Sequence, residues 1–64
     1  MTNNEILNAA GQVKGIGGMT VNERLFASGL FNEFDKAKIN DKGKAEFILE
    51  LLQVDKPSID KLLK

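Results

Sequence analysis

Apolar positions recur along most of this chain at helical spacing, and nowhere do they alternate with period two. The clearest pattern runs from Met19 to Lys38. At about 100° per residue, Phe26, Ala27, Leu30, Phe31, Phe34 and Ala37 share one broad arc. Arg24, Ser28, Asn32, Asp35 and Lys36 fall mostly opposite. Val21, Leu25 and Gly29 form a smaller side stripe flanked by Ser28. The pattern predicts one central helix over 20–38, packed on its main face and touched by something else on its flank. Thr20 and Glu23 have the spacing of a capping box, in which each side chain bonds the other residue's backbone N–H. Gly29 in mid-helix costs about 1 kcal/mol relative to Ala. Either another helix approaches closely at Ser28-Gly29 or the glycine is merely tolerated.

Residues 3–14 form a weaker amphipathic pattern, with Ile6, Ala9, Ala10 and Val13 on one side and Leu7 at its edge. Asn3 or Asn4 is placed to cap it, and about 12 residues make a marginal helix without packing partners. Gly15, Gly17 and Gly18 then break the chain and predict a hinge. Residues 1–18 therefore read as an appendage on a core domain of residues 19–64. Docking of that appendage is expected on the Val21, Leu25 and Gly29 stripe.

After the central helix, Ile39 to Gly43 carries turn formers, and Asp41 or Asn40 can cap the next helix. Residues 42–54 predict a helix whose polar stripe is only Glu46, Glu50 and Gln53. Ala45, Phe47, Ile48, Leu49, Leu51, Leu52 and Val54 occupy the rest of its circumference, so it must be covered on two sides. Pro57 ends that helix and suits the first turn of another, over 57–63, with Asp55 as a cap. Ile59, Leu62 and Leu63 give this last helix its apolar face. The expected fold is all-α: three core helices (20–38, 42–54, 57–63) plus a glycine-hinged N-terminal helix.

From Met19 onward the chain resembles a group of short uncharacterised bacterial and phage-borne open reading frames. Asn22, Glu23, Arg24, Leu25, Gly29, Leu30, Glu33, Phe34 and Asp35 carry the resemblance. It omits residues 1–18 and implies a helical fold, without an activity.

Composition narrows the chemistry. Nine basic and nine acidic residues leave a formal net charge of zero, so there is no general pull toward nucleic acid or anionic lipid. Without Cys or His the usual structural zinc ligands and disulfides are absent. No apolar run approaches the ~18 residues of a membrane span, and no secretory signal pattern is visible, so cytoplasmic residence is expected.

Several motifs fail on inspection. Asp35 to Glu46 has the length and ends of a calcium loop. Ala37 and Ile39 stand where oxygen ligands belong, and Asn40 stands where the turn needs glycine. The glycines at 11, 15, 17 and 18 lack the Lys-Ser/Thr pair of a phosphate loop, and Thr20 occupies the third glycine of a dinucleotide fingerprint. Gly17-Gly18 resembles a double-glycine leader, but Gly15, Gln12 and Gly11 stand where apolar or acidic residues belong. A nucleophile would have to be Ser28 or Ser58 with only Lys or a carboxylate as base, so no catalytic residue, metal ligand or cofactor is expected.

Two functional expectations remain. The first is a non-catalytic helical module binding an unknown protein partner or itself in a weak homodimer, with regulators and inhibitors of phage or prophage origin as a subclass. Its candidate contact residues are Val21, Leu25, Gly29, Leu49 and Leu52. The second is a small nucleic-acid-binding regulator touching phosphates with Lys36, Lys38, Lys42 and Lys44. Against it, the helix after that turn offers no row of Arg, Asn or Gln to read bases.

Overall fold

The computed structural model describes residues 1–64 as five α-helices with no strand. They are α1 (Asn3–Gly11), α2 (Val21–Ser28), α3 (Phe31–Asn40), α4 (Lys42–Leu51) and α5 (Lys56–Leu62), with a single 3-10 turn at Ile16–Gly18. The all-α expectation holds. The long central helix does not: it is two helices, α2 and α3, meeting at Gly29.

Gly29 adopts φ 74°, a left-handed conformation that costs an L-residue about 1–2 kcal/mol and glycine almost nothing. Its N–H bonds the Phe26 carbonyl and the Leu30 N–H reaches back to Leu25, both at 3.1 Å. This pair of bonds satisfies carbonyls that α2 would otherwise leave open, and it brings buried Leu30 over buried Leu25. The same closure recurs at the end of α4. There Gln53 takes φ 62° and donates to Glu50, while Val54 donates to Leu49, both at 3.0 Å. Nothing lies within 4 Å of where a Cβ on Gly29 would sit. Backbone conformation, and neither a close helix approach nor tolerance in mid-helix, explains this glycine.

Four helix starts carry a side-chain cap. Thr20 and Glu23 form the expected capping box, with the hydroxyl accepting from the Glu23 N–H at 3.2 Å and the carboxylate from the Thr20 N–H at 2.9 Å. A second box, Thr2 with Glu5, starts α1, so Thr2 and neither Asn3 nor Asn4 is its cap. Asp41 accepts from the Lys44 N–H at 3.2 Å and starts α4. Asp55 accepts from both the N–H and the hydroxyl of Ser58, which starts α5.

The core is one cluster: Ile6, Ala10, Leu25, Leu30, Phe34, Ala37, Ala45, Ile48, Leu49, Leu52, Val54 and Ile59. No polar side chain is buried in it. α4 lies at the centre, packed by α3 most extensively and by α1 and α5. That arrangement supplies the cover its apolar circumference requires. α1 contributes Ile6, with no exposed surface, and Ala10. It packs on α4 as well as on α2, beyond the docking stripe expected for it. The glycine run before α2 is a hydrogen-bonded turn, with Gly18 bonded to Gly15 and Met19 to Ile16, each at 3.1 Å. The radius of gyration is 10.5 Å, against about 10.7 Å for a compact chain of this length, so α1 is folded onto the bundle.

Arg24 ties the two ends of this packing together. Its Nε donates to the Met19 carbonyl at 3.0 Å, and its Nη1 to the carbonyls of Leu52 (3.2 Å) and Gln53 (3.0 Å). One guanidinium thus fastens the start of α2 to the closure of α4, 28 residues away.

Candidate protein-interaction face

The residues singled out as partner contacts are mostly interior. Leu25, Leu49 and Leu52 have almost no exposed surface and belong to the core, because α1, α3 and α5 cover α4 and α2 packs on α1 and α3. Val21 is half-buried against the same cluster, and Gly29 is exposed but is occupied in closing α2. What looked like a flanking stripe, Val21 and Leu25, is the inward face of α2.

The break at Gly29 has a second consequence. With α2 and α3 no longer in phase, Phe26 and Ala27 leave the arc of Leu30, Phe34 and Ala37 and turn outward. Phe26 is 81% exposed, whereas Phe34 is only 4% exposed. Met19, Asn22, Glu23, Phe26, Ala27 and Phe31 line one shallow groove. Phe31 and Met19 are half-buried and form its floor, Asn22 and Glu23 its polar rim. The Glu23 carboxyl titrates below its ordinary range, first because it accepts the Thr20 backbone N–H and then the Thr20 side-chain bond.

The four lysines grouped by sequence are divided by the helices that carry them. Lys36 and Lys44 flank Glu33 on one side of α3, and Lys44 Nζ lies 3.3 Å from the Glu33 carboxylate. That hydrogen bond is the main reason the Glu33 pKa is lowered. Lys44 is therefore paired. Lys38 and Lys42 lie together on another side, with Asp35, Ile39, Leu63 and Lys64 around a second shallow groove. Ile39 there is 83% exposed.

The candidate nucleophiles serve the helix ends. The Ser28 hydroxyl donates to the Leu25 carbonyl at 3.1 Å, and the Ser58 hydroxyl to Asp55 at 2.8 Å. The Ser58 hydroxyl and N–H, in that order, hold the Asp55 carboxyl below its usual range. The twelve positions from Asp35 to Glu46 are helix, a single capping Asp41, and helix again, with Ala37 in the core. No helix is long and apolar enough to cross a membrane.

Sequence reasoning missed Phe26, Ile39 and Arg24. A signal for Phe26 was present: glycine followed by an apolar residue is the pattern of a helix that stops, with Leu30 falling back on Leu25. Arg24 gave none, since its acceptors are backbone carbonyls far along the chain. Compared with family models, curated proteins and solved structures, the chain matches none.

Proposed function

We propose that the protein is a non-catalytic interaction module that binds another protein through the groove around Phe26. A regulator or inhibitor acting by occupancy would need no more chemistry than this. The single observation that carries the proposal is the 81% exposure of Phe26 beside half-buried Phe31 and Met19. A 64-residue chain that completes its core without this ring leaves it available as an anchor. Phenylalanine and the other aromatic residues are enriched at protein interfaces relative to the rest of the surface. The serine hydroxyls, engaged at helix ends, support a role without covalent chemistry.

Capture from a cell lysate with the full chain and with Phe26→Ser tests this. A protein retained by the unaltered chain and lost with Phe26→Ser, at an unchanged melting temperature, is the expected result. Equal retention by both chains overturns the proposal.

A further inference from the structure

The second groove combines features that the Phe26 face lacks. Its two apolar lining residues are Ile39, in the last turn of α3, and Leu63, half-buried against the core. Its walls are Lys38, Lys42 and Lys64, against one acid, Asp35. Neither Lys38 nor Lys42 lies in an ion pair, whereas Lys44 and Lys56 each hold a carboxylate within 4 Å. Ile39, 83% exposed, shares this groove with Lys38, Lys42 and Lys64, and a surface of that make-up has a specific complement. It needs an apolar side chain against Ile39 and Leu63, and carboxylates on either side.

We propose that this groove binds an acidic peptide segment of a second protein, carrying one apolar anchor between carboxylates. Burying the anchor against Ile39 supplies the affinity, and the lysines set the register and speed encounter. A phosphate backbone would use the lysines alone. It would leave Ile39 in water, and the groove has no aromatic ring on which a base could stack. An anionic lipid surface would meet two or three cations and one protruding isoleucine, and a chain of zero net charge supplies no broader attraction.

The test uses the labelled full chain on an array of short random peptides, with a DNA duplex and phosphatidylserine vesicles as parallel probes. Bound peptides are expected to be enriched in Asp and Glu flanking Leu, Ile or Phe. Binding should weaken about tenfold or more with Ile39→Ser. It should also weaken with Lys38→Glu/Lys42→Glu, chiefly through slower association, and fall as salt rises. Phe26→Ser should leave it unchanged, which separates this groove from the proposed Phe26 face. All four substituted positions are exposed, and thermal melts verify that each of the three variants is folded. Peptides without that composition, or binding unaltered by Ile39→Ser, overturn the proposal. So does preferential binding of the duplex or the vesicles that depends on the lysines and survives Ile39→Ser.

Discussion

Two phenylalanines eight residues apart in one stretch of chain have opposite duties, and their substitution separates them. Phe34→Ala removes a ring from the core and is expected to cost about 3–5 kcal/mol. That is a large part of the ~3–10 kcal/mol total for a domain of this size. Phe26→Ser, at an exposed position, should change stability by less than about 0.5 kcal/mol. Urea titrations of the two variants measure both values. Gly29→Ala should cost about 1–2 kcal/mol although space for the methyl is open, because the strain is in the backbone. Gln53→Gly should move the other way, relieving the only non-glycine residue with positive φ. Arg24→Ala leaves three carbonyls without their donor and should cost about 1.5–3 kcal/mol. Arg24→Lys should recover little of this, since an ammonium lacks the planar fork that spans Met19 and Leu52 together.

At the scale of elements, four of the five helices start on a polar side-chain cap, and α3, which follows the Gly29 turn directly, has none. Glu5, Glu23 and Asp55 are held below their usual pKa values chiefly by hydrogen bonds from Thr2, Thr20 and Ser58, and Glu33 by Lys44. A carboxyl whose folded pKa is depressed contributes stability above its unfolded value and loses it as pH falls through the folded one. Stability should therefore be level near neutrality and fall below about pH 4, where carboxylates ordinarily protonate. Denaturant midpoints at pH 7, 5 and 3 give the direct check. A midpoint that rises at pH 3 would mean that these carboxylates oppose folding. Thr20→Ala should cost about 1 kcal/mol and reduce the drop for Glu23, since the box works as a pair.

For the whole molecule, the sharpest experiment removes residues 1–18. Helix α1 places Ile6 and Ala10 in the shared core, and Val13 and Ile16 pack at its margin. Deleting it should cost at least the roughly 1.5–3 kcal/mol of burying Ile6. The remaining helices keep their own caps and the Arg24 tie to α4. A cooperative melt at a lowered midpoint is the expected outcome for residues 19–64. Non-cooperative unfolding would make α1 an obligatory part of the core.

The sequence by itself determined whatever depends on neighbours a few residues apart. All-helical structure, the Thr20–Glu23 box, the Asp55 cap, a cap at Asn40 or Asp41 and the need to cover α4 on two sides were legible, because each follows from local spacing; the structure chose Asp41. The inward face of α1 was legible too, as Ile6 and Ala10. Tertiary structure decided the rest. A wheel drawn through Gly29 assumed one continuous helix, so it placed Phe26 inward and Leu25 aside. The left-handed turn at Gly29 reversed those two assignments. Leu49 and Leu52 read as surplus surface only while nothing specified which helices would lie on them. The lysines from 36 to 44 read as one patch because they are close in sequence, yet α3 and α4 carry them to different sides. Which apolar residues remain exposed depends on how helices pack across the molecule, and local periodicity holds no record of that packing.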